Sequence, residues 1–288
     1  DLPAYVASAY SMPLWLMERW TKRFEAAELT RLCGWFNSTP PLMIRANSIR
    51  SSFDEVLNAF QSAGIVAQPL GDTDSIIVED VSRVDQLTGY KDGWFVVQDF
   101  SASCAARRLA PQPGQRVWDV CSAPGGKTCH LAAIMQNHGE IIATDIRSDR
   151  LEIVDENAAR LGVDIIRTQL VDEPGFRLPA GPFDAILVDV PCSNTVVLGK
   201  RPEARWRITP DGIEELKNVQ ANLLGRALER LAAGGRLVYS TCSIETAEND
   251  QIVRQVLKYF PNARLAEEEQ FIPGQPGDGA YQALIIGG

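Results

Sequence analysis

The chain of 288 residues is 45% hydrophobic and 23% charged, which excludes a disordered or fibrous protein and leaves room for one large domain or a domain with a smaller partner. A formal net charge of −9 excludes strong indiscriminate affinity for nucleic acid, so any such contact has to come from local basic patches. The six cysteines lack zinc-site spacing and disulfide-scaffold density, there is no apolar run near the roughly eighteen residues of a membrane span, and there is no basic-then-apolar leader; together these imply a reduced, metal-free protein of the cytoplasm, without membrane contact.

The first residue is Asp1 rather than methionine, so an upstream segment or domain is expected to be missing. Up to about Cys33 the chain reads as helical, with Leu14, Met17, Trp20 and Phe24 at helical spacing and Pro13 near the start. After Pro40-Pro41 the pattern predicts a strand from Leu42 to Ile49, a helix capped by Ser51 and Ser52 that carries Val56, Leu57 and Phe60 and ends at Gly64, and short strands over Ile65 to Pro69 and Ile76 to Glu79. Residues 1–96 are therefore expected to form a helical plus α+β module, with the strands in a split βαβ arrangement.

Over residues 97–288 strands and helices alternate. Strands are predicted at Arg116 to Val120, Ile141 to Thr144, Asp164 to Arg167, Ala185 to Val188, Arg236 to Ser240 and Tyr281 to Ile286. The intervening helices run from Lys127 to Met135, from Arg150 to Leu161, from Pro210 to the Gly234-Gly235 pair, and from Ala247 to Phe260. This alternation predicts a doubly wound, mostly parallel α/β sheet with helices on both faces.

In such a sheet, ligands and chemistry collect at the carboxyl ends of the strands. One predicted strand runs into Asp119 and then Cys121-Ser122-Ala123-Pro124-Gly125-Gly126-Lys127-Thr128, a small-residue turn that lets backbone amides approach a ligand. A phosphate loop requires glycine where Cys121 stands, and the dinucleotide fingerprint requires a glycine spacing that Gly125-Gly126 lacks. Asp145, roughly 20 residues further at the end of the next strand, suits the two ribose hydroxyls of a nucleoside without a phosphate tail, such as S-adenosyl-L-methionine. Asp172 follows the third strand and is placed near the adenine.

Asp189 begins Asp189-Val190-Pro191-Cys192, and Thr241-Cys242-Ser243 follows another strand, so two thiols and a carboxylate are predicted at one sheet edge. A carboxylate there can meet the N3 and amino edge of a cytosine-like ring, and a thiolate is the first candidate nucleophile. His130 and His138, the two histidines, both fall on or just past the helix after the glycine turn and are read as structural. Lys200, Arg201, Arg205 and Arg207 around Trp206, and Arg19, Lys22 and Arg23 beside Trp20, form basic patches with an aromatic suited to phosphates and a stacked base.

At these residues the chain resembles the RNA cytosine-C5 methyltransferases, the family of Fmu-type bacterial ribosomal RNA methylases and eukaryotic Nol1/Nop2/Sun proteins. The resemblance rests on Ala123-Pro124-Gly125-Gly126-Lys127-Thr128, Asp189-Val190-Pro191-Cys192-Ser193, Arg201-Pro202-Glu203 with Trp206, and Thr241-Cys242-Ser243 followed by Glu248-Asn249. Gln98-Asp99 with Ser101, and Asp278-Gly279 with Tyr281, are weaker echoes near the two ends. The resemblance implies a Rossmann-like S-adenosylmethionine-dependent domain behind an RNA-recognition-like module. It implies attack on C6 of cytosine by Cys242 and assistance to product release by Cys192 as base or relay. It also implies that Cys121 to Lys127, Asp145, Asp172 and Asp189 line the methyl-donor site. A monomer acting on RNA is expected, ribosomal ahead of transfer RNA, with a noncatalytic RNA-binding scaffold as the alternative. Val196-Val197 stands where the family usually has glycine soon after the Pro-Cys-Ser run, and Val171-Asp172 lacks the usual preceding glycine.

Overall fold

The computed structural model describes residues 1–71, 73–171 and 178–288. The N-terminal helical stretch is made of three helices, α1 (Leu2–Tyr10), α2 (Leu14–Trp20) and α3 (Ala26–Phe36). Ser11 takes the left-handed conformation at φ 52° and ends α1, and Pro13, fixed in extended backbone, starts α2. Their apolar faces, Leu16, Met17, Trp20, Leu29 and Phe36 among them, close on Val196, Leu198, Ala204 and Ile244 from far along the chain. Burial of each such large side chain stabilises by roughly 1.5–3 kcal/mol.

The next segment folds as β1 (Leu42–Ala46), α4 (Phe53–Ser62), β2 (Ala67–Pro69), β3 (Ser75–Val78) and β4 (Phe95–Val97). Ser52 and Glu55 make a reciprocal capping box that sets the start of α4. The sheet order is β2-β3-β1-β4 with antiparallel neighbours, so β1 and β2 run the same way with β3 between them. That is the expected split βαβ arrangement. β4 was not predicted, since three residues are too short for alternation to show. The expected strand to Ile49 stops at Ala46 because the next residue, Asn47, turns its amide to the carbonyls of Gly93 at 2.8 Å and Leu161 at 2.9 Å.

The larger unit contains α5 (Phe100–Leu109), β5 (Arg116–Asp119), α6 (Gly126–Ile134), β6 (Glu140–Asp145), α7 (Ser148–Leu161), β7 (Ile166–Leu170), β8 (Phe183–Asp189), α8 (Ala204–Arg207), α9 (Pro210–Leu228), β9 (Leu231–Thr241), α10 (Asp250–Leu257), β10 (Arg264–Phe271) and β11 (Ala280–Ile286). These make a seven-stranded sheet in the order β10-β11-β9-β8-β5-β6-β7. The run from β9 to β7 is parallel, and β11 and β10 add on antiparallel. Alternation along the strands feeds two cores. Trp118, Ile186, Val188 and Tyr239 face α9 and α10, whereas Val117, Ala185, Leu187 and Val238 face α5, α6 and α7.

Sequence patterning missed α5 and β10 for opposite reasons. The buried face of α5 is Ser101, Ser103, Ala105, Ala106 and Leu109, too small to register as an apolar stripe. β10 is a mostly exposed edge strand with three consecutive glutamates, Glu267 to Glu269. The long helix ends at Leu228 and Gly234-Gly235 lies inside β9, with Gly234 at φ 70°. Among the described residues no helix is long and apolar enough to cross a membrane.

Candidate active site at the strand ends

β5, β6, β8 and β9 are parallel neighbours, so Asp119, Asp145, Asp189 and Thr241 finish at the same edge of the sheet. After β5 the chain turns over Cys121 to Pro124, held by Ser122, whose backbone N–H donates to the Thr144 carbonyl at 2.9 Å. Gly125 sits at φ 97° as the N-cap of α6, and a Cβ there would lie 3.2 Å from the Val154 Cα. Only glycine meets both conditions. At Gly126 the space is open, with no atom of the described residues beyond its own stretch of chain within 4 Å of a Cβ position.

Asp119 is buried under this turn. Its Oδ2 accepts from the Thr128 hydroxyl at 2.7 Å, while Oδ1 has no partner among the described residues. Burial pushes its carboxyl up to about 7, against the Thr128 bond. Asp145 is buried at the end of β6, accepting from the Arg147 N–H at 3.1 Å with the Arg150 guanidinium 3.3 Å away. The Cys121 thiol is pushed far up by burial and then by Asp119, and it stays neutral. Asp172 lies outside the described residues.

Lys127, on the first turn of α6, reaches from the glycine turn to the cysteine side of the edge. Its Nζ is 2.7 Å from Asp189 Oδ2. Burial on its own would lower the ammonium, but Asp189 and the neighbouring Cys242 outweigh it and hold Lys127 above its ordinary range. Cys192 and Cys242 are free thiols, and Cys192 Sγ accepts from the Cys242 backbone N–H at 3.2 Å. Burial pushes Cys242 up to about 11, with Lys127 pulling down and Asp189, Asp278 and Asp99 pushing up. The Cys192 thiol is driven well above its ordinary range, first by burial and next by Cys242 and Glu248.

The two cysteine loops are joined by side chains that the sequence flagged only as motif neighbours or not at all. Glu248 accepts from Ser193 N–H at 2.9 Å, Ser243 Oγ at 2.6 Å, Gln220 Nε2 at 3.0 Å and the Ser193 hydroxyl. Thr195 Oγ1 accepts from Ile244 N–H at 3.0 Å, and Asn249 takes the Thr241 hydroxyl at 2.6 Å while donating to the Ser243 carbonyl at 2.9 Å. These bonds explain why α10 starts at Asp250 rather than Ala247. Asp99 caps α5 through Ser101 and accepts from Asp278 N–H at 3.0 Å, which sets both carboxylates near Cys242.

The basic patches divide. Arg205 was expected to face RNA, but it is buried, and its guanidinium donates to the carbonyls of Phe36 at 2.6 Å and Leu198, Tyr10 and Ser11 at 3.3–3.4 Å. It staples α8 to the N-terminal helices. Trp20 is buried too, its Nε1 donating to Glu245 at 2.7 Å, and Arg19 and Arg23 bind Glu245 and the Ile244 carbonyl, so this patch braces the Cys242 loop. Lys200 pairs with Asp278 at 2.5 Å, Arg201 is exposed, and Trp206 is 65% exposed beside them.

A Rossmann-like sheet with a small-residue turn after one strand, acidic ends on its neighbours and a ferredoxin-like module in front is the architecture of an S-adenosyl-L-methionine-dependent methyltransferase. Residues 106–283 match the family model of the 16S rRNA methyltransferase RsmB/F, and residues 12–85 match the ferredoxin-like domain of RsmF/B-like methyltransferases; the chain belongs to the RsmB/F family. It is 35% identical over 288 residues to the ribosomal RNA small subunit methyltransferase B of Salmonella dublin, covering 95% of this chain and 66% of that protein. It is also 36% identical over 253 residues to the probable ribosomal RNA small subunit methyltransferase B of Synechocystis sp., covering 86% of this chain and 57% of that protein. The chain thus spans less than two thirds of these relatives' length. The crystal structure of PH0851 superposes with a TM-score of 0.89 at 28% identity, over 99% of this chain and 68% of that one. NSun6 from Pyrococcus horikoshii with SFG superposes at 0.82 and 20% identity, over 94% of this chain and 97% of that one, a likeness of fold.

The residues present fit the methyl donor of this class. The unpartnered Asp119 Oδ1 is a buried acceptor beside the turn, Gly126 leaves room for a ligand to approach backbone, and Asp145 is a carboxylate at the next strand end.

Proposed function

We propose that the chain methylates C5 of a cytosine in RNA, with small-subunit ribosomal RNA as substrate, through a covalent adduct between Cys242 and C6 of the base. The observation that carries this reading is the meeting of two free thiols, Cys242 and Cys192, with the Lys127–Asp189 ion pair. C5 of cytosine is too weak a carbon nucleophile to accept a methyl group unaided. Addition of the Cys242 thiolate forms S–C6 and moves the C5–C6 π pair onto C5, which takes the methyl group. Loss of the C5 proton then restores the double bond as S–C6 breaks, with Cys192 assisting release as a proton relay.

S-adenosyl-L-methionine supplies an electrophilic methyl group when bound. Cys121 to Lys127, Asp119, Asp145 and Asp189 would hold it, with Asp172. Asp189 also faces the N3 and amino edge of the base. The Lys127 ammonium beside Cys242 favours its thiolate over the thiol. Lys200, Arg201 and Trp206 form the RNA-facing surface, and residues 1–96 present the substrate to the catalytic residues 97–288. The target base has to leave its stack, so a single-stranded or loop cytosine of cytoplasmic RNA is the substrate, met by a monomer. A noncatalytic scaffold would have no use for a lysine–aspartate pair beside a sulfur.

Incubation with labelled methyl donor and unmethylated ribosomal RNA tests the reading. Cys242→Ala is expected to abolish both methyl transfer and adduct, and Cys192→Ala to accumulate a protein–RNA adduct stable in denaturing gels. Normal transfer by Cys242→Ala would overturn it.

A further inference from the structure

Along β1, Ile44 and Ala46 pack with Phe60 in the core of the N-terminal module, so Arg45 between them turns to the opposite face of the sheet, toward the larger unit. There it is 2% exposed, with Nε donating to Gln98 Oε1 at 2.7 Å and Nη1 to the Ala46 carbonyl at 3.2 Å. Among the described residues Nη2 makes no hydrogen bond, and no carboxylate stands within ion-pair distance of Arg45. A buried cation without a counter-ion is costly to a fold. Arg45 lies on the wall of a cavity of about 420 Å³, the size of a small-ligand site, at the seam between β1 and helices α4, α5 and α6. Ser48, Phe53, Asp74, Arg107 and His130 are also on that wall. Asp74 is ion-paired with Arg107, and its Oδ2 lies 3.5 Å from His130 Nε2, so its charge is already met. Burial, with Arg45 and Arg107 nearby, holds His130 well below its ordinary range, and it stays neutral. Asp54 and Glu55, at the start of α4, are exposed to solvent and offset the positive end of that helix. One positive charge is therefore in excess among the described lining residues, and it sits on Arg45.

We propose that this seam cavity is a phosphate-binding site, in which a phosphate group is the counter-ion of Arg45, with the Arg107 guanidinium and the Ser48 hydroxyl beside it. Guanidinium N–H forks match phosphate oxygens, and a phosphate has enough oxygens to meet both arginines at once. The near-complete burial of Arg45 selects the form of the ligand. Free phosphate or the terminal phosphate of a chain can enter, whereas an internal phosphodiester carries a sugar on either side. Arg45 and Ser48 belong to the N-terminal module and Arg107 to α5 of the larger unit, so the bound group ties the two together. The site is separate from the cysteines and does not depend on their chemistry.

Thermal melts of the full chain in rising inorganic phosphate, with ionic strength held constant by sodium chloride, test this. The unaltered chain is expected to show a saturable rise in melting temperature. Ser48→Glu brings a carboxylate to the cavity wall as an internal counter-ion, and Ser48→Gln brings the same shape without the charge. Ser48 is exposed, so neither change disturbs the core. Ser48→Glu is expected to raise the phosphate concentration at half-saturation at least about tenfold, and Ser48→Gln to leave it nearly unchanged. The general stabilisation that phosphate gives any protein moves all variants alike and cancels in the comparison. Arg45→Met is expected to abolish the saturable rise; where it does not fold, the Ser48 pair decides. The proposal is overturned if the unaltered chain shows no saturable rise, if acetate at the same concentration raises the melting temperature equally, or if Ser48→Glu responds like Ser48→Gln. Given the rise, fluorescence anisotropy with 5′-phosphorylated and 5′-hydroxyl RNA oligonucleotides separates the two sources. Tighter binding of the phosphorylated strand that Ser48→Glu removes assigns the phosphate to RNA, and equal binding of the two strands assigns it to the free ion.

Discussion

The glycine-turn half of the strand edge and its cysteine half are built by different means. At the ends of β5 and β6 the site is mostly backbone: a glycine turn, an N-cap at φ 97° and two buried aspartates with few partners. At the ends of β8 and β9 it is side-chain work, with Glu248, Asn249, Thr195 and Gln220 tying two loops 50 residues apart into one network. A surface of backbone and unpaired acceptors can be filled by a ligand, whereas a saturated polar network holds reactive groups in fixed geometry. Lys127 is the ion-paired residue that joins the halves.

The sharpest way to break this contrast is within the glycine pair. Gly125→Val puts a β-branched residue at a left-handed φ and drives it into α7, so a loss of roughly 3 kcal/mol or more in denaturant unfolding is expected. Gly126→Val meets open space in the free protein, so its stability is expected to stay within about 0.5 kcal/mol while calorimetric binding of S-adenosyl-L-methionine is lost. If both variants unfold alike, the open space at Gly126 is not a ligand face.

On the cysteine side, Asn249→Ala leaves the buried Thr241 hydroxyl without its acceptor and removes the bonds Asn249 donates to the Ser243 carbonyl and to Gln270 Oε1. A destabilisation of about 2–4 kcal/mol is expected for that network, measured by thermal unfolding. Donor binding is expected to survive in the folded fraction, since the network does not reach the glycine turn.

Asp119 provides a pH test of the glycine-turn side. Its folded-state carboxyl is pushed up to about 7, above the ordinary 3.8, so the folded state binds the proton more tightly than the unfolded chain. Its favourable contribution is present below the unfolded value and disappears as pH rises through about 7. Asp119→Asn keeps an acceptor for Thr128 and removes the charge. Its stability relative to the unaltered chain is expected to improve by a few kcal/mol between about pH 5 and about pH 8 in denaturant melts. A pH-independent difference would refute the assignment.

The same contrast explains what was legible in the chain. The glycine turn was readable because it is contiguous, from Cys121 to Lys127, and Asp145 lies one strand on. The paired cysteines were readable from their strand-end positions and motifs. Glu248 as the clamp was not, because its partners Ser193, Ser243 and Gln220 come from three separate segments that only the fold assembles. Arg205 misled for a related reason. A basic residue next to an exposed tryptophan carries no local sign that three carbonyl-bearing segments, at Tyr10-Ser11, Phe36 and Leu198, converge on it. The edge strand β10 was hidden by its glutamates, which face solvent and keep the edge from pairing with another chain.

Arg205 and Trp206, adjacent in α8, give the smallest and most selective test, because one is committed to the fold and the other to the surface. Arg205→Met strands the Phe36 carbonyl and its neighbours, so it is expected to lower stability by about 1–3 kcal/mol. Trp206→Ala removes an exposed ring and is expected to change stability by less than about 0.5 kcal/mol. If a base stacks on that ring, affinity for a single-stranded RNA fragment should fall by about 1–3 kcal/mol. Fluorescence anisotropy beside a thermal melt separates the two effects. An unchanged RNA affinity in Trp206→Ala would remove α8 from the RNA surface and leave Lys200 and Arg201 to hold phosphate on their own.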